Sequence, residues 1–432
     1  MSITELYKFY SNSSGVSTDS RSILKDEIFF ALKGENFDGH KYVDDVLSNG
    51  ALLAVIDDEN YAIDGKTFLV EDVLKALQEL ARHHRDQLKI PVIAITGSNG
   101  KTTTKELLYA VLDKKYNVHA TKGNFNNHIG VPLTLLRAPL EAEILIIEMG
   151  ANHVGDIHEL CQIADPSYGM ITNIGKAHLD GFGSVEGIIK GKTELYRHIA
   201  QRDGTLFLND LDEILCNNLP ENVRTVNYPN DISFDNSGLS LSFFKKDSNT
   251  IMTSQLYGQY NSINILAAIA IGRFFEVNDF NIFDAIQNYT PEINRSQILQ
   301  LDNRTLILDA YNANPSSMLV SLESFINVSS QYEKILVLGD MMELGKEEVF
   351  LHKEILDFIK TEKFKHVFLV GPIFAQADKD KSYIHFKNVD LLLNYYAEST
   401  EDIFNKSMSL IKASRSIKLE KISEAIMARS NS

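Results

Sequence analysis

Cysteine is scarce in this chain, because Cys161 and Cys216 are the only two among 432 residues. Neither has neighbours with the spacing of a metal-binding cluster. Two isolated thiols are typical of a protein that works in a reducing compartment, where cysteines have structural roles. We therefore expect a cytoplasmic protein whose cysteines bind no metal.

Long apolar runs are also missing. No run approaches the ~18 residues that a membrane-spanning helix needs, and the stretch Ile263–Ile271 is short and interrupted by Asn264. The first residues, MSITELYKFYSNSSG, have neither the basic nor the apolar region of an export signal. The sequence thus predicts a protein that is neither exported nor inserted in a membrane.

Positive charge is in deficit. Lysine and arginine number 42 against 58 aspartates and glutamates, which gives a net charge of −16. Such a surface repels polyanions, so neither nucleic acid nor an anionic membrane is expected as a partner. Small anionic substrates are compatible with this charge, because they need only local basic groups and helix N-termini.

The most informative stretch is Pro91–Glu106, PVIAITGSNGKTTTKE. The apolar run Val92–Ile95 predicts a strand, and a helical pattern follows the glycine-punctuated turn. A strand, a glycine loop and a helix in this order form a phosphate cradle, in which backbone N–H groups and the helix N-terminus face the anion. The residues of this predicted nucleotide site are Gly97, Ser98, Asn99, Gly100, Lys101, Thr102 and Thr103.

Side chains of such a loop have individual roles. The ammonium group of Lys101 would reach the terminal phosphates, and a threonine hydroxyl after it can bind Mg²⁺. The common motif has a glycine where this chain has Ile95. The alternative is an ordinary strand-to-helix turn, but the Gly-Lys-Thr sequence favours a nucleoside triphosphate site.

Strand-like apolar runs alternate with helical patterns along the chain, which predicts an α/β fold. At ~100–200 residues per domain, the length predicts about three domains. We place a small N-terminal α/β domain at 1–88, a central P-loop ATPase-like parallel sheet at 89–291 and a C-terminal Rossmann-like domain at 292–432. Ligands of parallel sheets bind beyond the carboxyl ends of the strands, so polar residues that follow strands are the candidates for a site.

In the central domain, three such residues stand out. Glu148 ends the apolar run Ile144–Ile147, where a carboxylate is placed to bind Mg²⁺, and the alternative is a solvated side chain. His178 follows the run Met170–Ile174 and is compatible with a metal ligand or a surface histidine. Lys192 opens an apparent helix, where a lysine by itself is unremarkable.

Further candidates lie in polar clusters. Asn124, Asn126 and Asn127 either contact a polar substrate or belong to a turn-rich connector. Asn261 and Asn264 lie three apart at a helix start, where they either cap the helix or read a nucleotide base. Clusters in the outer domains comprise Thr18, Ser20, Arg21, Lys33, Asp38, His40, Arg295, Asp309, Asn312, Asn314 and Ser414.

Together these segments resemble the ATP-dependent Mur ligases, which build the peptide of the bacterial cell-wall precursor. The phosphate loop with Glu148, His178 and Lys192 is typical of that whole family, and the resemblance covers essentially the whole chain. The segments GNFNNHIGVPLTLL, EMGANHVGDI, DAYNANPSSM and LGDMMELG resemble the branch that adds D-alanyl-D-alanine. The Asp-Asn/Asp-Pro-Arg segment of the diaminopimelate-adding branch is missing.

The resemblance implies an ADP-forming ligase of peptidoglycan precursor synthesis. ATP would phosphorylate the terminal carboxylate of UDP-N-acetylmuramoyl-tripeptide, and the amine of D-alanyl-D-alanine would attack the acyl phosphate. ATP and Mg²⁺ are the implied cofactors, the two other substrates are the implied partners, and a monomer is expected. The chemistry is consistent, because a carboxylate becomes an acyl electrophile only when its oxygen becomes a leaving group.

Family roles transfer to individual residues of this chain. The resemblance assigns catalytic roles to Lys101, His178 and Lys192. Thr102 and Glu148 would bind Mg²⁺. His178 and a carbamylated Lys192 would support a second Mg²⁺, because carbamylation turns a repelling ammonium into an anion.

The remaining roles concern ligand contacts. The resemblance implies nucleotide contacts for the phosphate loop, Asn261, Asn264, Arg295 and Asp309. It implies substrate contacts for Thr18, Ser20, Arg21, Lys33, Asp38 and His40 at the UDP end, for Asn124, Asn126 and Asn127 at the muramyl-peptide, and for Asn312, Asn314 and Ser414 near the dipeptide.

One position departs from the family pattern, since Ala413 stands where the motif Lys-Gly-Ser-Arg has glycine. If that position needed a positive φ, alanine would strain the dipeptide site. Other functions fit less well. A sibling ligase would share the fold, whereas a P-loop kinase or GTPase would not need the polar clusters of the third domain. A non-enzymatic scaffold would have lost residues such as Lys101 and Glu148.

Overall fold

The computed structural model describes residues 2–247, 250–291 and 294–430. Glu292, the predicted first residue of the third domain, lies outside these ranges. The predicted α/β fold class is confirmed, with one four-stranded and two six-stranded sheets built on parallel pairs. Within the described ranges, every helix is too short or too polar to cross a bilayer.

The N-terminal region contains the four-stranded sheet. Its elements are α1 (Ile3–Ser11), β1 (Gly15–Ser17), β2 (Glu27–Phe30), β3 (Lys33–Gly34), β4 (Phe37–Asp38), α2 (Val43–Ser48), β5 (Leu53–Ile56), β6 (Thr67–Leu69) and α3 (Val73–Gln87). The sheet is parallel with the order β1-β2-β5-β6, while β3 and β4 form a separate hairpin. Helix α3 begins where the Asp72 carboxylate accepts a hydrogen bond from Lys75 N, a standard N-cap.

The central sheet has six parallel strands. Its elements are β7 (Val92–Thr96), α4 (Lys101–Leu112), β8 (Val118–Ala120), α5 (Gly130–Leu136), β9 (Ile144–Glu148), α6 (Asp156–Ala164), β10 (Tyr168–Ile171), α7 (Leu179–Phe182), α8 (Val185–Lys192), α9 (Glu194–Gln201), β11 (Thr205–Leu208), α10 (Glu213–Asn217) and β12 (Arg224–Asn227). In the order β12-β11-β10-β7-β9-β8, strand β7 lies between β9 and β10. The connection after β7 runs to one side of the sheet, towards β8, whereas the connection after its neighbour β10 runs to the other side, towards β11. Such a switch point opens a crevice for a ligand. The phosphate loop follows β7 at this point.

An antiparallel sheet, which the sequence analysis did not predict, follows the parallel one. The elements here are β13 (Ile232–Asp235), β14 (Ser240–Lys245), β15 (Met252–Tyr257), α11 (Asn261–Phe274) and α12 (Asp279–Asn288). The strands pair in the order β13-β14-β15. Residues alternate between buried and exposed along most of β15, which is typical of a strand with one solvated face.

The third region is a six-stranded sheet with one antiparallel edge. Its elements are β16 (Gln297–Leu301), β17 (Arg304–Asp309), α13 (Pro315–Asn327), β18 (Glu333–Gly339), α14 (Glu348–Ile359), β19 (His366–Val370), α15 (Pro372–Ala377), β20 (Ile384–Phe386), α16 (Val389–Glu398), β21 (Ser407–Lys412) and α17 (Glu420–Ser430). In the order β16-β17-β21-β18-β19-β20, only β16 is antiparallel to its neighbour. Strands β17, β21 and β18 are neighbours, so the residues after their carboxyl ends lie at one edge.

The N-terminal and central regions share one apolar core. Leu77 and Leu80 of α3 belong to the same buried cluster as Leu133 and Leu160 of the central region. The guanidinium group of Arg85 adds a hydrogen bond to Ala164 O at 2.9 Å. Because separating these two regions would expose apolar surface, we infer that they move together.

Candidate active site

A cavity of about 970 Å³ lies between the central and third regions. Seventeen of the predicted site residues line it: Ser98, Asn99, Gly100, Lys101, Thr102, Thr103, Asn124, Asn126, Asn127, Glu148, His178, Asn261, Asn264, Arg295, Asp309, Asn312 and Ser414. The others are outside its lining, and these are Gly97, Lys192, Asn314, Thr18, Ser20, Arg21, Lys33, Asp38 and His40.

The phosphate loop is held in place by the segment that follows β10. Ser98 N donates to Asn173 O at 2.9 Å, and Asn99 N donates to the Asn173 side-chain oxygen at 3.1 Å. The Lys101 ammonium bends back over the loop and donates to Gly97 O at 2.7 Å. Neighbouring strands thus fix the shape of the loop without a ligand.

Gly97 is the position where this loop tolerates substitution least. Its φ is +144°, and a Cβ atom would lie 1.9 Å from the Thr172 hydroxyl oxygen. We expect Gly97→Ala to lower the free energy of unfolding by about 3 kcal/mol through strain and overpacking. Urea unfolding followed by circular dichroism measures this loss.

Gly123 provides the matched control for that substitution. Its φ is +54°, and a Cβ atom added there would meet no described heavy atom within 4 Å. Gly123→Ala should therefore cost only the backbone strain, about 1 kcal/mol. Equal losses in the two variants would contradict the tight packing of Gly97 against Thr172.

The three residues with implied catalytic roles perturb each other's ionisation. Burial lowers the pKa of Lys101, and the Glu148 carboxylate opposes this shift. Burial also lowers the pKa of His178, with Glu343 opposing and both Lys101 and Lys192 reinforcing the shift. For Lys192, burial and the charge of Lys101 hold the pKa well below its ordinary value. An anionic ligand among these buried basic groups would stabilise their charged forms, so the cluster favours an anion.

Glu148 is buried, with 1% of its surface exposed, so the alternative of a solvated side chain is wrong. Asn126 donates to one of its carboxylate oxygens at 2.8 Å. The other oxygen, Oε2, is buried and accepts no hydrogen bond from the described part of the chain. A buried anionic oxygen beside a phosphate loop fits a divalent cation.

A metal site made by the protein alone is not present in the described ranges, where no three histidine, cysteine, aspartate or glutamate side chains converge. Mg²⁺ commonly uses one or two carboxylates and completes its shell with water and substrate phosphates. The donor set at Glu148 is therefore compatible with Mg²⁺ held together with a nucleotide.

Lys105 is a buried residue of this site that the sequence analysis missed. Its ammonium donates to Thr121 O at 2.6 Å and lies 3.9 Å from Glu148 Oε2. On helix α4 it shares the face of Leu108 and Leu112, both fully buried. A lysine at an apolar position of a helix was the available signal.

Lys192 lies at a different place in its helix from the one predicted. It is the last residue of α8, and the next helix begins at Glu194. Its side chain is 1% exposed, with the ammonium 5.5 Å from the centre of the Phe182 ring. A lysine in this environment is not an ordinary surface residue.

His178 meets a residue of the third region. Its Nδ1 is in contact with the carboxylate of Glu343, and the two form an ion pair when the imidazole is protonated. Glu343 was not among the predicted site residues, and it lies in the loop after β18, which follows a strand end like the other candidates.

The two asparagines at the start of α11 bind each other. Asn264 donates to Asn261 at 2.8 Å and accepts from the Thr104 hydroxyl at 3.1 Å, while Asn261 donates to Tyr257 O at 2.7 Å. Neither acts as a side-chain cap of the helix. They join α11 to α4 and still border the cavity.

Aromatic and charged groups of the third region face the cavity. The Arg295 guanidinium stacks 3.5 Å from the centre of the Tyr311 ring, and that of Arg415 lies 5.0 Å from it. Asp309 pairs with the buried ammonium of Lys412 at 2.5 Å. Tyr311 and Lys412 were not predicted as site residues, although both lie in strand-end segments that the sequence analysis identified.

The Ala413 substitution does not strain the backbone. Ala413 is absent from the residues with positive φ, and it is fully buried. The condition for a cost at this position, a positive φ, is therefore not met. The next residue, Ser414, accepts from Met342 N at 3.0 Å and remains at the cavity.

Asn314 links the two halves of the cavity instead of lining it. Its amide donates to the Asn99 side chain of the phosphate loop at 2.7 Å and also caps α13, accepting from Ser317 N. Ser316 accepts from Lys176 N at 3.0 Å in the same interface. The third region thus contacts the phosphate loop and its supporting segment directly.

The polar residues of the N-terminal region lie apart from the cavity. Arg21 is bound to Asp19 at 2.7 Å and is 87% exposed. His40 is buried between Asp38 at 2.8 Å and Asp57 at 3.1 Å. The Arg21 side chain is thus accessible to a ligand. His40, in contrast, holds its own loop, at Asp38, against the loop that contains Asp57.

The fold and the site define a class. A parallel sheet with a phosphate loop at its switch point, facing a second sheet with charged strand ends, is typical of an enzyme that uses a nucleoside triphosphate. Three family models match the chain: the Mur ligase catalytic domain at 12–85, the Mur ligase middle domain at 95–272, and the Mur ligase glutamate ligase domain at 294–415. The chain belongs to the Mur ligase family.

Relatives are similar over nearly the whole chain. UDP-N-acetylmuramoyl-tripeptide–D-alanyl-D-alanine ligase of Bacillus subtilis (strain 168) is 35% identical over 428 residues, 94% of this chain and 92% of the relative. MurF from Acinetobacter baumannii is 29% identical with a TM-score of 0.85, covering 96% of this chain and 93% of that one. The MurF ligase of Thermotoga maritima in complex with ADP is 26% identical with a TM-score of 0.84, covering 96% and 98%.

Proposed function

We propose that this chain joins D-alanyl-D-alanine to UDP-N-acetylmuramoyl-tripeptide, with ATP converted into ADP and phosphate, in peptidoglycan precursor synthesis. The Bacillus subtilis relative carries the name of this activity. The observation that carries the proposal is that one cavity is lined by the phosphate loop, by Glu148 and by the strand ends of the third region. A ligase needs such a cavity, because the triphosphate, the carboxylate and the amine must meet there.

The reaction has two chemical steps. A terminal carboxylate oxygen of the tripeptide attacks the γ-phosphorus and ADP leaves, which gives an acyl phosphate. The amine of the dipeptide then attacks the acyl carbon, loses a proton, and inorganic phosphate leaves. Lys101 would place its charge where negative charge accumulates, and exclusion of water from the cavity would limit hydrolysis of the acyl phosphate.

Mg²⁺ is the cation that we propose for this site. Glu148 and Thr102 would hold it beside the phosphates, and Thr102 lines the cavity next to Lys101. His178 and a carbamylated Lys192 would hold a second ion. When bound, Mg²⁺ offsets the negative charge of the reacting groups.

The nucleotide would lie between the phosphate loop and the third region. We propose that Asn261 and Asn264 contact the base, and that Arg295 and Asp309 contact the ribose or phosphates. Arg295 is already oriented by its stacking on Tyr311. An oriented guanidinium loses less side-chain entropy when it binds an anion.

The other two substrates would contact different domains. We propose that the N-terminal domain, 1–88, binds the UDP end, the central domain, 89–291, binds ATP, and the C-terminal domain, 292–432, binds the dipeptide and part of ATP. The UDP contacts would be Thr18, Ser20, Arg21, Lys33, Asp38 and His40; the muramyl-peptide contacts Asn124, Asn126 and Asn127; and the dipeptide contacts Asn312, Asn314 and Ser414.

The test is phosphate release from ATP with UDP-N-acetylmuramoyl-tripeptide, with and without D-alanyl-D-alanine. We expect release only with all three substrates, and a pentapeptide product by mass spectrometry. Release that ignores D-alanyl-D-alanine but responds to another amino acid would move the chain to a sibling branch of the family. We also propose that the protein acts as a cytoplasmic monomer, which size-exclusion chromatography with light scattering tests for the oligomeric state.

A further inference from the structure

Two residues with left-handed backbones lie next to each other in the lining of the cavity. Glu343 has a φ of +63° and His178 a φ of +54°. Residues other than glycine, asparagine, aspartate and histidine adopt this conformation rarely, because the Cβ atom crowds the backbone, so Glu343 is the less expected of the two. Residues held in such conformations cluster at functional sites.

The side chains of these two residues bind each other. The Glu343 carboxylate pairs with His178 Nδ1, and Glu343 O accepts from Asp180 N at 3.3 Å. Gly345, also with a positive φ, lies against the Asp180 side chain. The loop after β18 therefore contacts the start of α7 by its backbone and by one carboxylate.

Stability alone does not explain this arrangement. The Glu343 side chain is 59% exposed and that of His178 is 24% exposed, and an ion pair with an exposed partner adds little to folding. The strained backbone of Glu343 costs more free energy of folding than such an ion pair contributes. Glycine would suit the backbone at 343 better, as Gly345 shows two residues later.

We propose that Glu343 is a positioning residue that orients the His178 imidazole when the third domain lies against the central one. This inference rests on the proposed function, in which His178 acts at the reacting groups. The pair spans the two domains, so His178 is oriented only when they are together. Asn314 and Ser316 hold the same interface at other points, so the domains still meet when Glu343 is changed.

The test uses Glu343→Gly and Glu343→Gln in the full chain. Glycine keeps the backbone hydrogen bond and relieves the strain, whereas glutamine keeps the shape and removes the charge. We expect kcat to fall about 30-fold in both, with KM for each substrate within about twofold, since the group acts on orientation and not on ground-state binding. The Tm of Glu343→Gly should not fall.

A matched control is present in the same interface. Glu354 also reaches across the domains, to Lys176 at 3.8 Å, and does not contact His178. Glu354→Gln should leave kcat and Tm unchanged. A loss of kcat in Glu343→Gly no larger than in Glu354→Gln would overturn the proposal.

A double-mutant cycle tests whether Glu343 acts through His178. In a His178→Ala background, Glu343→Gly should cause no further loss of kcat, and the Tm effects of Glu343→Gln and His178→Ala should be non-additive in the ligand-free protein. Independent effects in both measurements would overturn the proposal. A wild-type protein that releases no phosphate with the three substrates would instead reject the proposed function, and the Tm cycle would still decide on the pair.

Discussion

Replacing Lys101 with methionine is expected to reduce kcat/KM for ATP by about 10³-fold, the scale of loss when one charge is removed from a phosphoryl-transfer site. The ammonium lies 2.7 Å from Gly97 O, within the loop that cradles phosphate. A bound triphosphate offers it stronger acceptors than this carbonyl, so the charge is available for the transferring group. Steady-state phosphate release with all three substrates measures the loss.

The fold should tolerate this change. Burial lowers the pKa of Lys101, so its charged form has a desolvation cost that methionine does not have. We expect the free energy of unfolding to change by about 1 kcal/mol or less. Lys114→Met is the control, because Lys114 forms only an exposed ion pair with Asp284 just beyond the same helix. Activity retained by Lys101→Met at the level of Lys114→Met would contradict the assigned role.

A carbamate on Lys192 is the second large effect that we expect. Carbon dioxide reacts with a neutral amine, and burial together with Lys101 holds the pKa of Lys192 well below its ordinary value. The neutral fraction of this amine is therefore larger near neutral pH than that of an exposed lysine. Protein equilibrated with ¹³C-bicarbonate should show a carbamate resonance by NMR, and Lys192→Met should lack it.

Catalytic activity should depend on the carbamate of Lys192. Lys192→Met is expected to lose about 10²-fold in kcat or more, because an anion that would help to hold Mg²⁺ is removed. Lys190→Met is the control, since Lys190 lies on the same helix with an exposed side chain. Full activity in protein that shows no carbamate, before and after bicarbonate is added, would reject the role of the modified lysine.

Strands buried on both faces could be predicted from apolar runs, as in β7, β9 and β19, where the sequence leaves few alternatives. The antiparallel strands β14 and β15 were missed, because their apolar residues alternate with polar ones and are easily read as loop. Their alternation, with Leu241 and Phe243 buried in β14, was the available signal.

Site residues also divide into those that the sequence predicts and those that it does not. Glu148 could be predicted, because a carboxylate at the carboxyl end of a strand lies close to a phosphate loop that follows a strand of the same parallel sheet. The role proposed for Glu343 could not, although its segment LGDMMELG was identified, because this role depends on a contact with a residue far away in sequence and on a left-handed backbone. Lys105 is an intermediate case: it was missed, but a lysine at an apolar position of a helix was a signal that the sequence contained.

The sequence by itself determined the α/β class, the phosphate loop and the family, because glycine spacing and apolar runs constrain the local backbone wherever they occur. Only the tertiary structure decided which polar side chains remain available to a ligand. Asn261, Asn264, Asn314 and His40 already bind protein partners, so only their remaining donors and acceptors can meet a ligand. Glu148, in contrast, keeps a buried oxygen that accepts no hydrogen bond from the described residues. An amide or an imidazole binds protein and ligand groups equally well, so its role follows from the neighbours that the fold provides.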